Sequence, residues 1–245
     1  MITPSNPDFA PLLESRFEGA NSALEGQRPF AVLIKNVSTQ PVVAYSLEWE
    51  LTREDGKVFT QSRSYIAAWK LMGMKGSDDA PIIKPNSFVV MTPSNFDVAD
   101  YNGASDPTLL ASLGTVRTEL AHYTAIDITI DGAFFEDGSY AGPDGNNFFS
   151  RVETLLNAKR DTCLEILQSS AQGLPTEQIY KHLEDMVKEP NVDSSDSSTK
   201  ANLYRKYKKD VATEILKMRS ISGDARAVEF ATKLLGNKWP ELRKL

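Results

Sequence analysis

Apolar and polar positions alternate one by one along the first half of this chain and recur every three or four residues along the second, and the change falls between Asp131 and Asn147. In PFAVLIKNV, Phe30, Val32 and Ile34 alternate with Ala31, Leu33 and Lys35, which predicts a strand with one buried and one partly covered face. Asn36 to Pro41 supplies turn residues. VVAYSLEWEL follows, with Val43, Tyr45, Leu47, Trp49 and Leu51 on one side and Glu48 and Glu50 on the other, as expected of an antiparallel strand with one wet face. Asp55-Gly56 predicts a hairpin into KVFTQSRSY, where Thr60, Ser62 and Ser64 share a side with Val58. SFVVMTP reads as a short strand closed by Pro93, and HYTAIDITID as a strand with Ile126, Ile128 and Ile130 inward and Asp127, Thr129 and Asp131 outward.

Helical spacing predicts further elements. Asp8 to Gly19 fits one short helix, and Asp106-Pro107 opens another running to about Leu120. Residues 66 to 86 mix apolar side chains with Gly, Asp and Pro and read mostly as loop. Beyond Gly142 four stripes appear. Phe149, Val152, Leu156, Cys163 and Leu167 mark the first, with Ser150 and Glu153 as a capping box and Asp144 or Asn146 as alternative caps. Ile179, Leu183, Met186 and Val187 mark the second, capped by Thr176; Tyr204, Tyr207, Val211, Ile215 and Met218 the third; Val228, Ala231, Leu234 and Leu235 the fourth, with Ser222 or Asp224 as its cap.

The expected fold is α+β. Residues 1–142 form an N-terminal antiparallel immunoglobulin-like β-sandwich with a short leading helix, and 143–245 a C-terminal helical domain of about four helices with a flexible loop near 190–199.

Composition is that of a globular chain: 245 residues, 41% hydrophobic and 24% charged, enough for one large core or two modest ones. No apolar run approaches the ~20 residues of a membrane-crossing helix. The N-terminus lacks a signal peptide, so the sequence as written belongs in the cytoplasm; a chain trimmed of its signal, and exported, would read the same. The net charge of −6 hides a split, because residues 197–245 carry 12 Lys or Arg against 5 Asp or Glu while the rest is strongly acidic. Either the basic helices dock on acidic surface, or they present a basic face to nucleic acid or an anionic membrane.

Chemistry narrows by elimination. One cysteine, Cys163, excludes an internal disulfide and a cysteine-based zinc cluster, and its place on an apolar stripe predicts an inert, buried thiol. His122 and His182 stand 60 residues apart with no metal-ligand spacing around them, and no HExxH, GxSxG, GxxxxGK[ST] or GxGxxG occurs. Neither metal nor cofactor is expected, and no catalytic residue is assigned. Two groups remain as candidates. Arg205, Lys206, Lys208 and Lys209 form a basic cluster suited to anions. His122, Glu136, Asp137, Ser139 and Asp144 gather around the junction, where carboxylates beside a histidine suit acid–base work. The plainer reading of the Asp-Gly pairs at 131, 137 and 144 is turn chemistry, glycine accepting positive φ and aspartate bonding its downstream backbone.

Two stretches also carry a likeness. Asn36, Ser38, Pro41, Val42, Ala44 and Tyr45, followed by Phe135, Asp137, Gly138, Ser139, Gly142, Pro143 and Asp144, resemble a group of uncharacterised soil-bacterial proteins, over roughly residues 28 to 165. The resemblance implies an immunoglobulin-like region before a helical one and transfers no activity; many of the group look exported. The functional expectation is a non-enzymatic interaction or structural protein with a protein partner. The alternatives are a hydrolase-like enzyme at the junction and an anion binder working through residues 205–209.

Overall fold

The computed structural model describes residues 7, 9–17, 28–73, 83–92, 122–190, 199–223 and 226–245. The expected helix from Asp106 to Leu120, the loop at 191–198, part of the segment from 66 to 86, Pro93 and Asp224 lie outside them. The chain mixes α and β, with strands in two sheets and the long helices in its C-terminal half. It divides into two compact units, Met1–Ile66 with Pro81–Glu136 and Ala141–Pro143, and Ala67–Ala80 with Asp137–Tyr140 and Asp144–Leu245.

The first unit opens with helix α1 (Phe9–Phe17) and a 3-10 turn at Arg28–Phe30. Strand β1 (Val32–Lys35) pairs antiparallel with β4 (Phe88–Met91) in one sheet. In the other, β2 (Val42–Arg53) lies between β3 (Val58–Ile66) and β5 (Tyr123–Phe135), antiparallel to both. The β2–β3 hairpin turns at Asp55-Gly56 as expected, with Gly56 at φ 79° and the Lys57 N–H donating to Asp55 Oδ1 at 3.1 Å. Alternation puts Tyr45, Leu47, Trp49 and Leu51 into one core cluster with Val32 and Ile34 of β1 and Val89 and Met91 of β4, while Ile126, Ile128 and Ile130 of β5 pack against it partly buried. Trp49 is fully buried and donates from Nε1 to the Phe30 carbonyl at 3.3 Å.

Two expectations need correction, both because of β-bulges, where an extra residue reverses the faces beyond it. A register shift between Val42 and Ala44 places Val42 rather than Val43 in the cluster. Asp131-Gly132 is not a turn. A second shift, where Ser46 pairs with Gly132 and Leu47 with Ile130, leaves Asp131 buried within a strand that continues to Phe135.

Asn36 is also more than a turn residue. It is buried, and its Nδ2 donates to Gln40 O at 2.7 Å and Ile83 O at 2.9 Å while Oδ1 accepts from the Ser38 N–H at 2.9 Å, so the amide of this Asn-Val-Ser sequon is engaged inside the fold.

The second unit holds α3 (Phe148–Ala171), α4 (Thr176–Lys188), α5 (Lys200–Ser222) and α6 (Arg226–Gly236). Helix α5 packs against α3 and α4, and α6 against α3. Buried Val152, Leu156 and Cys163 of α3, Ile179, Leu183 and Met186 of α4, Val211 and Ile215 of α5, and Ala231 and Leu234 of α6 lie on the stripes that the spacing predicts, whereas α3 fully buries Phe148 and Ile166 in place of the expected Phe149 and Leu167, which are only partly buried. Thr199 caps α5 through the Asn202 N–H, whereas Pro175, not Thr176, occupies the cap position of α4. The segment after β3, expected as loop, forms a short helix α2 (Ala68–Leu71) in this unit; Leu71 and Met72 are fully buried, and Gly73 at φ 70° lies so close to the Lys238 carbonyl that a Cβ there would sit 2.9 Å from it. Strand β6 (Ser139–Ala141) pairs in parallel with β7 (Arg243–Lys244).

Candidate interaction surfaces

The junction candidates separate. Glu136 follows the last residue of β5 and His122 precedes the first, so 13 residues of strand lie between them, on the order of 40 Å at about 3.3 Å per residue. Both side chains are exposed. Asp137 and Asp144 instead do structural work in the second unit. Asp137 Oδ1 accepts from the Ser139 N–H at 2.9 Å and from Ser139 Oγ at 2.5 Å, and its Oδ2 accepts from Arg243 at 2.8 Å. Asp144 Oδ1 accepts from the Phe149 N–H at 2.8 Å, closing the start of α3, and Oδ2 accepts from Lys244 Nζ at 2.7 Å. Asn147 occupies the cap position without a side-chain bond, and Asp144 satisfies the Phe149 N–H from three residues before it; Ser150, already inside the helix, cannot begin a capping box.

Burial pushes the Asp144 carboxyl up, but Lys244, the Phe149 N–H and the Tyr140 hydroxyl outweigh it and hold the group below its ordinary value. A carboxylate so depressed adds stability above its unfolded pKa, about 4, and that stability is lost as pH falls through the folded value. Asp144→Asn is therefore expected to cost about 1–2 kcal/mol at pH 7, as lost caps and charged hydrogen bonds do. In urea unfolding the gap to the parent chain should shrink by pH 3; an equal gap at both pH values would refute the ion-pair account.

The basic cluster lies on α5 beside a groove of about 960 Å³ lined by Asp161, Glu165, His182, Tyr204, Arg205 and Lys208 among others. Arg205 and Lys206 are exposed. Lys208 is engaged, its Nζ 2.6 Å from Glu165 Oε1, and Lys209 donates to the Glu189 carbonyl. His182 Nε2 stands 4.0 Å from the other Glu165 oxygen. Tyr204 donates to Asp161 Oδ2 at 2.6 Å, and burial with the neighbouring carboxylates pushes its phenol up to about 12, so it keeps its proton at neutral pH. Further along, Lys200 meets Glu153 at 2.9 Å and Arg219 meets Glu177 at 2.6 Å. The basic helix thus spends much of its charge on the acidic faces of α3 and α4. Among the described residues no group of His, Cys, Asp and Glu is arranged to hold a metal, and no helix is long and apolar enough to cross a membrane.

A third surface is the edge of β3. Its ladder with β2 runs without a register shift from Thr52↔Val58 to Ala44↔Ile66, whereas the β2–β5 ladder is interrupted three times. The Arg53 N–H donates to Lys57 O at 2.9 Å, and hydrogen-bonded and non-bonded pairs alternate from there. Phe59, Gln61, Arg63 and Tyr65 therefore turn their backbone groups toward β2. Val58, Thr60, Ser62, Ser64 and Ile66 turn theirs outward, where among the described residues no strand pairs with them. Val58 and Phe59 are 59% and 54% exposed. Native edges are commonly blunted by charged side chains, proline or a bulge; this strand has no lysine, proline or bulge, and its one charged residue is Arg63, on the face it shares with Leu47.

Set against known proteins, the chain matches no family model, no curated protein and no solved structure.

Proposed function

We propose that this chain is a non-enzymatic interaction protein, an immunoglobulin-like sandwich with a helical unit, that takes a protein partner by adding an extended segment of it beside β3. The core cluster, which draws side chains from both sheets around Trp49, supports the sandwich. The observation that carries the functional reading is the unbroken nine-residue edge, with outward backbone groups at alternate positions and exposed Val58 and Phe59 at one end. Strand addition draws affinity from main-chain hydrogen bonds and specificity from alternate side chains, and this edge offers both. The hydrolase-like reading draws less support, since His122 and Glu136 stand at opposite ends of β5 and Asp137 and Asp144 are held by Arg243 and Lys244. Anion binding retains Arg205 and Lys206, with Lys208 and Lys209 turned to internal acceptors.

Peptides selected for binding to the intact chain test the reading. Strand-forming sequences are expected, with affinity falling at least about tenfold against Ser62→Pro, because proline removes an outward N–H from an edge without breaking the β2–β3 ladder. Ligands that bind the variant as well as the parent would overturn it.

A further inference from the structure

From the sequence of this edge we infer that the segment it takes is β3 of a second copy of the chain, paired antiparallel about a two-fold axis at Ser62. The inference rests on the reading of β3 as an interaction edge and adds the identity of the partner. Val58-Phe59-Thr60-Gln61-Ser62-Arg63-Ser64-Tyr65-Ile66 is a chemical palindrome. Read from either end it runs aliphatic, aromatic, hydroxyl, long polar, serine. A two-fold interface puts each patch against itself, so a strand of this pattern meets like with like across its whole length.

Centred on Ser62, Val58 faces the other copy's Ile66, Phe59 its Tyr65, Thr60 its Ser64 and Gln61 its Arg63. Aromatic, hydroxyl and aliphatic pairs of this kind stabilise antiparallel strands. Parity agrees, because the outward residues Val58, Thr60, Ser62, Ser64 and Ile66 then exchange hydrogen bonds only with one another, up to about ten in all, near the number in an ordinary protein interface. Phe59, more than half exposed, lies on the face that holds Trp49, and the other copy's Tyr65 would extend that core sideways over it. Charge selects the register. Arg63 is the strand's one charged residue; centring the axis on residue 63 sets it against its own copy, and centring on 61 sets it against Phe59 and leaves Tyr65 and Ile66 beyond the ladder. Only the Ser62 axis gives every residue a matching partner.

Sedimentation of the intact chain up to about 100 μM, with Ser62→Pro, Ser62→Lys and Ser62→Cys variants, decides the matter. A pairing held by one strand is small against a standard interface, so reversible dimerisation in the micromolar range is expected. Both Ser62→Pro and Ser62→Lys should be monomeric, the second by setting like charges together with the ladder intact, and unchanged far-ultraviolet dichroism separates loss of pairing from loss of fold. A short bis-maleimide should couple Ser62→Cys chains into dimers. Lys57→Cys chains should resist it, because that position lies ten residues out of register, about 33 Å from its copy. Cys163 does not interfere; it is fully buried and burial pushes its thiol up to about 12. A parent chain that stays monomeric, a dimer that survives both substitutions, or equal coupling through position 57 would overturn the self-pairing. If the parent is monomeric while selected peptides still lose affinity for Ser62→Pro, the edge reading stands and only the second copy falls.

Discussion

Trp49→Ala is expected to cost about 3–5 kcal/mol, the range for truncating a large buried aromatic. The side chain is fully buried, sits on β2 opposite Gln61 of β3 and Ile128 of β5, and belongs to the cluster that both sheets share. Removing it opens a cavity lined by residues whose positions are fixed by ladders on either side, so the walls have little room to collapse. It also takes away the donor to the Phe30 carbonyl. Against a typical stability of about 5–15 kcal/mol, that is a large share of the total. Trp49→Phe, which keeps most of the volume and loses the hydrogen bond, should cost about half as much. Urea unfolding followed by far-ultraviolet dichroism checks both, and an alanine variant within about 1 kcal/mol of the parent would show that Trp49 does not centre the core.

Glu214→Ala is expected to cost about 2–4 kcal/mol, more than the exposed ion pairs among the described residues. Lys159 Nζ lies 2.7 Å from Glu214 Oε2, with the lysine side chain 9% exposed and the glutamate 34%. Truncating the glutamate takes the nearest carboxylate from a buried ammonium, and buried pairs broken on one side are costly because the remaining charge stays desolvated. The partial exposure of Glu214 puts the figure below the fully buried range. Replacing both partners, Lys159→Met with Glu214→Leu, removes the charge as well as its counterion and should fall within about 1 kcal/mol of the parent. Lys200 and Glu153, exposed at 64% and 41%, give the contrast: Lys200→Ala should cost under about 1 kcal/mol and less still in high salt. Equal costs for Glu214→Ala and the double replacement would refute the account.

What the sequence makes legible is what short-range periodicity controls. The β2 alternation from Tyr45 to Leu51, the Asp55-Gly56 hairpin and the four helices depend on neighbours within a turn or a strand, and they are found where their spacing puts them, with the α3 stripe displaced by one residue at its two ends. Asp131-Gly132 was misleading because the same dipeptide suits a turn and a bulge, and the choice is made by β2 across the sheet. Strands β6 and β7 are three and two residues long, too short for any period, and what marks them is the pairing of Arg243 with Asp137 and of Lys244 with Asp144, each about a hundred positions away. Separations of 55 and 43 positions likewise hide the partners of Lys159 and Lys208. The β3 palindrome, in contrast, was written in nine consecutive residues; attention to apolar periodicity passes over it because its meaning appears only when a strand is set against its own reverse.

The packing of Gly73 against the Lys238 carbonyl has a consequence for how the chain is made. Leu71 and Met72 leave the ribosome among the strands, yet the unit that buries them is completed about 165 residues later. At roughly 5–20 residues per second this apolar segment waits some 10–30 s for its partner, long after the neighbouring hairpin has had time to form. During synthesis Leu71 and Met72 are thus apolar side chains that stay without their final unit while the hairpin before them is already complete.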